Sequence, residues 1–470
     1  MKKDTLSELL RRALARKSAW PARLALWLIS CAVFYVFASH ARYAMIDEFG
    51  SYGVERMVAI AARAFTAIFA VTLAVQLAVG RRMSMGVQVL LAVITGAVLL
   101  GKISLLDYVS DDYSIFLSDW IYSYQQMGIR EGLGTYIGSD YSPPYLYLML
   151  LISRVGNYPW QYLVKAISIL ADTLLAYAVM KLCALRVKGD VTRLAIFNGA
   201  LLLPTVVFNG AYWSQCDAIY TSLCLMALYF ALTRRSARGM IFFGMALSFK
   251  LQTVFFLPAL LPLWLRKDIK LRHLPLIPAA YMAMMLPALW GGKSIHHVLT
   301  VYLTQAGNYN SMTVNAPSLY QFLPEGVDRS VLFGMFGNMA MLLGVAMLLC
   351  VCALVCARRE RLSQDGTLLF AVLVLAGVPF FLPKMHERYT FGADVLSVAL
   401  ASNDRRRIAL PLLFGFASYV CYTAGLPGES LMELKWATMI QMTGIALTAA
   451  ALVRSLHDGG ESPRMAEVKA

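Results

Sequence analysis

The sequence predicts an all-α polytopic membrane protein, and three observations lead there. Of 470 residues, 59% are hydrophobic and only 15% are charged. The mean hydropathy is +0.61. The apolar residues come in blocks long enough to cross a bilayer, which takes about 20 residues each. A soluble chain of this length needs more polar surface. A β-barrel is excluded by pattern, because barrel strands alternate in polarity over about ten residues and these blocks do not. The net charge of +15 raises the question of nucleic acid. The Lys and Arg residues sit mostly in short loops and near the termini, the pattern that orients membrane proteins, so a membrane and not a nucleic acid is the expected partner.

The elements follow in order. Residues 1–20 are basic (Lys2, Lys3, Arg11, Arg12, Arg16, Lys17) and read as a cytoplasmic amphipathic segment with no signal-peptide cleavage site. Residues 21–39 and 57–80 form two spans, the second ending at Arg81-Arg82. Residues 87–106 form the third, which carries the following acidic stretch to the extracytoplasmic face. The run after Pro143-Pro144 is too short to cross and reads as re-entrant. Further spans are expected at 160–183, 192–210, 218–233, 274–290, 331–357, 367–383, the run after Tyr389, 408–424 and 434–454. The block 239–265 has Lys250 in its middle and basic residues at both ends, which predicts a hairpin of two half-length helices. The count is about 12 full spans plus re-entrant or hairpin pieces, with about 11–14 helices open.

Eight cysteines lie in or beside apolar runs. Cys352 and Cys356 are one turn apart, but nothing is spaced to complete a metal site. They read as packing residues. The absence of an Asn-x-Ser/Thr sequon favours a bacterial inner membrane over a secretory pathway.

Charge counting puts four polar segments on one side: the Asp107–Tyr147 stretch, the turn Trp213–Asp217, the loop 291–330 and the turn Lys384–Tyr389. They offer Asp111, Asp112 and Asp217 as acids and Lys384, His386 and Arg388 as cations. A carboxylate can take a proton from an attacking hydroxyl, and clustered cations can hold a departing phosphate. One acid plus a phosphate clamp at a membrane surface fits transfer of a sugar from a lipid phosphate to a hydroxyl, with inversion at the anomeric carbon. Each residue also has a plainer reading. Asp111-Asp112 and Asp217 can cap helices, His386 and Arg388 can anchor the interface, and Trp213 suits an aromatic belt more than a catalytic role. Within the spans, Lys165 and Asp172 lie two turns apart on one helix face and suit pairing with each other or a neighbour. Lys250 suits either a substrate phosphate or a carboxylate partner.

Asp112-Tyr113, with Phe116 and Trp120, then Tyr141-Ser142-Pro143-Pro144-Tyr145-Leu146-Tyr147-Leu148, resembles the first lumenal loop of GT-C superfamily glycosyltransferases. The nearest resemblance is to the integral-membrane mannosyltransferases similar to the second mannosyltransferase of GPI-anchor assembly and their bacterial relatives. Their Trp-Gly-Gln-x-Asp element reads Trp213-Ser214-Gln215-Cys216-Asp217 here, with Ser in place of Gly. Their Phe-Lys-x-Gln element is matched by Phe249-Lys250-Leu251-Gln252, and their His-Glu-Arg-Tyr element by His386-Glu387-Arg388-Tyr389.

The resemblance covers roughly 87–400. It implies a GT-C-like catalytic membrane core there, preceded by additional spans over 21–86 and followed by C-terminal spans and a cytoplasmic tail over 401–470. It further implies a polyprenyl- or dolichyl-phosphate-sugar donor, commonly mannose, and a hydroxyl acceptor on glycan, lipid or protein. An Asp of the first loop serves that fold as base; here it maps to Asp112, with Asp111 as rival. Gln215, Asp217, Lys250, Gln252, Lys384, His386, Glu387, Arg388 and Tyr389 map to substrate binding. Such donors need no metal cofactor in this superfamily, although an Asp-Asp pair can invite a divalent cation. Two other classes stay open. A lipid-linked glycan transporter predicts an internal repeat between two halves. A glycan polymerase or ligase predicts a large loop rich in Arg and His, whereas 291–330 holds only His296, His297 and Arg329.

Overall fold

A helix that is apolar on every side has no face to give to water and must be surrounded. Gln364–Phe381 is such a helix, and every position from Gly366 to Phe380 is buried. Packed on it are Arg329–Ala357, Phe391–Asn403, Leu434–His457 and the one-and-a-half-turn segment Leu260–Leu265 with the 3₁₀ stretch before it. A second tightly packed set joins Trp160–Cys183, Asp217–Leu232 and Ser236–Phe249. The computed structural model describes residues 20–47, 53–156, 158–307, 310–324, 326–426 and 428–458. Residues 1–19 of the expected basic segment and the tail from 459 lie outside the described residues.

Every named element among the described residues is helical. Nine described helices are long and apolar enough to cross a membrane, and ten if the bent pair Asp190–Leu201 and Pro204–Tyr212 counts as one span. The two other expected crossings are shorter. Asp217–Leu232 has 16 residues and Phe391–Asn403 has 13, and at about 1.5 Å per residue neither matches a hydrocarbon core of about 30 Å. Both are buried among other helices, where their length is not set by lipid.

The periphery is apolar too. On Arg329–Ala357, Met335, Met339, Leu342 and Leu349 repeat at helical spacing and point outward, Leu342 being 69% exposed. A stripe of that kind is stable only against hydrocarbon. Trp20–Ser39 and Val54–Val79 pack with Met85–Ile103 and with Tyr158, Tyr162 and Ile169 in a cluster of their own beside the main core.

The block 239–265 breaks where its charge sits. The helix Ser236–Phe249 stops at Lys250, whose backbone is extended (φ −154°, ψ 139°), and a 3₁₀ stretch, Leu251–Ala259, leads back. The return is complete: the Lys270 amide donates to Ser236 Oγ at 3.0 Å. The hairpin expected from two basic ends is therefore present.

The loops collect at two ends. At one, Arg266 Nη1 donates to the Leu362 carbonyl (2.8 Å), Gln364 Nε2 to that of Leu232 (3.2 Å) and Arg361 Nη1 to that of His457 (2.5 Å), so basic turns distant in sequence touch. At the other, Ser110 Oγ donates to the Trp213 carbonyl (2.9 Å), Tyr108 OH to that of Leu426 (2.6 Å) and Lys293 Nζ to that of Thr135 (3.1 Å).

Buried charge ties these ends to the helices. Lys102 Nζ lies 2.5 Å from Asp172 Oδ2, and both side chains are essentially inaccessible. Asp172 thus pairs with a neighbouring helix and not with Lys165. Lys165 instead donates to the carbonyls of Leu105, Leu106 and Tyr108 (3.2, 2.9 and 2.7 Å). Gln161 Nε2 joins it on Leu106 and Tyr108, and Tyr162 OH donates to Asp107 Oδ1 at 2.5 Å. Three side chains of one helix hold the chain just before Asp111-Asp112. Lys102→Met is expected to destabilise the protein by roughly 3–5 kcal/mol, because it strands a buried carboxylate. Thermal unfolding in detergent measures this, and Lys102→Met combined with Asp172→Leu should recover most of the loss.

Candidate active site

Four segments meet at the end of the molecule that carries Asp112. The first enters through the anchored carbonyls of 105–108. Asp112 opens a π-helical turn, Tyr113–Leu117, that runs into Ser118–Gln125. Three of its aromatic residues, Tyr113, Trp120 and Tyr124, are buried in one cluster with Tyr145 and Met149 of Pro143–Ile152, while Phe116 and Tyr122 are exposed. The second segment is also led by a π turn, Phe208–Tyr212. A Cβ at Gly210 would lie 2.9 Å from Asp172 Oδ2, so this turn rests directly on the buried Lys102–Asp172 pair. The third is the hairpin tip with Lys250 and Gln252. The fourth is the turn 384–389, tied to 311–315 by Lys384 N to the Ser311 carbonyl (3.1 Å) and Val314 N to the Met385 carbonyl (2.9 Å).

Between them lies a cavity of about 300 Å³, at the small end of the range for ligand pockets. Asp112, Gln215, Lys250, Gln252, His386, Arg388 and Tyr389 line it. So do Phe116, Trp120, Tyr141, Tyr145, Ser214 and Gln305. Gln305 comes from the helix Ile295–Gly307 and no motif marked it; a glutamine in an otherwise amphipathic segment was the only available signal. Buried oxygens of Ser214, Gln252 and Gln305 have no hydrogen-bond partner among the described residues. Unpaired acceptors and donors in a cavity are costly unless a ligand or water engages them.

The charges interlock. Gln215 Nε2 donates to Asp112 Oδ2, and Tyr141 OH donates to Gln215 Oε1 at 3.4 Å. Lys250 Nζ lies 2.6 Å from Asp217 Oδ1, whose other oxygen accepts from Asn209 Nδ2 at 2.8 Å. Arg388 reaches three carboxylates: Glu387 at 3.0 Å, Asp112 at 3.7 Å and Asp217 at 3.9 Å. Its guanidinium stacks over Trp213, 5.0 Å from the ring centre. Trp213 is 5% exposed, so it is a buried support for Arg388 and not a belt residue. Burial opposes the charge on Arg388, but Asp112 and Glu387 outweigh it and hold the guanidinium well above its ordinary value.

His386 differs from its neighbours. Burial first, then the charges of Arg388 and Lys250, push its imidazole down to about 3. It is a neutral ring at ordinary pH and not one of the cations expected from the sequence. Burial pushes the Glu387 carboxyl up to about 7 against the pull of Arg388.

Not every expected residue lies on the cavity. Asp217 and Glu387 are buried behind it as partners of Lys250 and Arg388. Asp111 is exposed beside it. Lys384 lies outside its lining, with Nζ 4.8 Å from the centre of the Phe333 ring. In the loop 291–330, Tyr320 OH donates to the Phe381 carbonyl at 2.5 Å and braces a helix end. Among the described residues, no group of three or more His, Cys, Asp or Glu side chains is set to hold a metal ion. No protein-family model matches the chain, and no curated protein matches it.

Two expectations follow. Ser214 has φ +72°, a left-handed conformation that glycine adopts freely. Ser214→Gly should stabilise the fold by roughly 0.5–1 kcal/mol, which is the left-handed cost of about 1–2 kcal/mol less the entropy that glycine adds to the unfolded chain. Ser214→Val should destabilise it, and thermal unfolding compares the two. The Glu387 carboxyl binds its proton more tightly folded than unfolded. Stability therefore falls as pH rises from about 4.5 to about 7 and is level above that, the loss being up to roughly 3 kcal/mol. Glu387→Gln should remove this slope in unfolding curves taken across that pH range.

Proposed function

We propose that the protein is a membrane glycosyltransferase that moves a single sugar, the mannose of a polyprenyl-phosphate donor, to an acceptor hydroxyl. The observation that carries this reading is the cavity itself. It holds two partly exposed carboxylates, Asp112 and Asp140, the cations Lys250 and Arg388, and a set of unpaired amide and hydroxyl oxygens. A sugar phosphate asks for that combination: polar partners for its hydroxyls, cations for its phosphate and a base for the incoming nucleophile.

Asp112 is the base. It is 31% exposed, so an acceptor hydroxyl can reach it, and the Gln215 amide fixes its orientation. The hydroxyl oxygen bonds to the anomeric carbon while Asp112 takes its proton. The bond from that carbon to the phosphate oxygen breaks, and the oxygen keeps the electron pair. Arg388 and Lys250 hold the phosphate as its charge grows. Entry of the phosphate at Arg388 replaces the loose 3.7 Å contact with Asp112, which leaves the carboxylate to Gln215 and the acceptor. Displacement of this kind inverts the anomeric centre. The neutral His386 serves as a hydrogen-bonding group toward the sugar.

The motifs that resemble the GT-C superfamily mannosyltransferases fall on all four converging segments, the tip of the hairpin among them. That agreement supports the family reading. The basic turns gathered at the opposite end support an extracytoplasmic site, here on a bacterial inner membrane. Counting the buried helices Asp217–Leu232 and Phe391–Asn403 as crossings gives the twelve-span bundle.

The test is transfer of radiolabelled sugar from synthetic polyprenyl-phosphate-mannose into membrane lipid or glycan. Asp112→Asn should lower transfer by about 10²–10⁴-fold with an unchanged melting temperature, and Asp111→Asn should stay near wild type. If the wild type transfers nothing from mannose or glucose donors but carries a labelled lipid-linked glycan across vesicles, a transporter reading replaces this one.

A further inference from the structure

Basic residues at helix ends orient a membrane protein by number alone and need no common geometry. At the end opposite Asp112, several do share one. A cavity of about 470 Å³ opens there between Arg186, the turn Asp404–Arg407 and the last turns of Leu434–His457.

The charges lining it sort into engaged and free. Arg407 grips Asp365 with two nitrogens (2.8 and 2.7 Å) and lies 3.7 Å from Asp404. Asp404 Oδ1 also accepts from the Arg406 amide at 3.0 Å. Asp458 also lines the cavity; it is 76% exposed and lies 3.3 Å from His457 Nδ1. Arg407 thus takes up Asp365 and Asp404. The side chains of Arg186, Arg406 and Arg454 have no carboxylate partner among the described residues, and all three line the cavity. The hydroxyls of Ser363 and Ser455, 3.5 Å apart, lie on the same wall.

The floor is of another kind. Ala409, Leu410, Leu447, Ala450 and Ala451 form it. Leu447 is 46% exposed, and Ile408 and Leu412 on the adjoining helix are 59% and 65% exposed. The apolar floor therefore continues onto the surface that faces hydrocarbon. Arginines without carboxylates, hydroxyl donors and a greasy exit to the bilayer do not suit a soluble anion. They suit a phosphate that arrives with acyl chains attached.

We propose that this cleft binds an anionic phospholipid, with the headgroup phosphate on Arg186, Arg406 and Arg454 and the acyl chains over Leu410, Leu447, Ala450 and Ala451. The site lies at the opposite end from the Asp112 cavity and does not depend on the transferase reading. The full-length protein, delipidated in detergent, is titrated with dioleoyl phosphatidylglycerol by native mass spectrometry. Dioleoyl phosphatidylcholine and inorganic phosphate are run alongside. A saturable phosphatidylglycerol adduct is expected. Replacing Arg186, Arg406 and Arg454 together with Ala should weaken it about tenfold or more. Arg407 is left intact in that variant to spare its pair with Asp365. Ala450→Trp fills the floor from an exposed position, leaves the arginines in place and should weaken the adduct as well, so the outcome does not hang on the triple variant folding. Equal affinity in wild type and Ala450→Trp overturns the proposal. So does phosphatidylcholine binding as tightly as phosphatidylglycerol, or full competition by millimolar inorganic phosphate, which would mark a soluble-anion site.

Discussion

A guanidinium that is 12% exposed must be compensated wherever the fold puts it, and Arg388 is compensated from three loops at once. Asp112 comes from the first polar stretch, Asp217 from the second turn and Glu387 from its own turn. Pulling all three away from such a group would leave an uncompensated charge. The loops therefore have little freedom to separate. Lys250 closes the arrangement from the hairpin tip through Asp217. The cavity exists because these charges need one another and also need room for water or a ligand.

The loops are held by groups that are themselves out of water. Lys165, Gln161 and Tyr162 lie on one helix and grip the chain from Leu105 to Tyr108. The Lys102–Asp172 pair supports the turn at Gly210 from beneath. Intramembrane charge is expensive, and here Lys102, Asp172 and Lys165 lie within reach of segments that lead to the site. Ser214, Asn315 and Lys384 have positive φ in or beside these segments, as Arg234 and Lys267 do in the basic turns at the other end. Non-glycine residues keep such conformations only where the surroundings over-determine them.

Much of the architecture was legible in the sequence because lipid imposes simple rules. Span length, basic turns and the break at Lys250 follow from hydropathy and charge, and the helices start and stop close to the expected residues. What was not legible arises between helices. Nothing local says that Asp172 pairs with Lys102, 70 residues away, and leaves Lys165 to cap carbonyls. Nothing local marks Gln305 as part of the cavity wall or makes His386 neutral, since burial and the neighbouring charges do that. The two short helices also escaped, because a helix wrapped by protein no longer answers to bilayer thickness. Motif order brought seven of the expected residues to one cavity, while Lys384 and Asp111 shared the motifs without sharing the wall.

The difference between Asp111 and Asp112 shows what local geometry adds to a motif. Adjacent residues on a helix point about 100° apart, so an Asp-Asp pair at the head of a helical turn cannot present both carboxylates to one cavity. The π turn at Tyr113–Leu117 sets which one it is. It widens the first turn after Asp112, with Tyr113 and Leu117 buried while Ser114 and Phe116 are exposed. The second π turn, Phe208–Tyr212, does the same for the approach to Gln215, the residue that holds Asp112. π turns are rare and cluster at functional sites. Here two of them lead into the two ends of one hydrogen bond, and for the proposed reaction that bond aims the base.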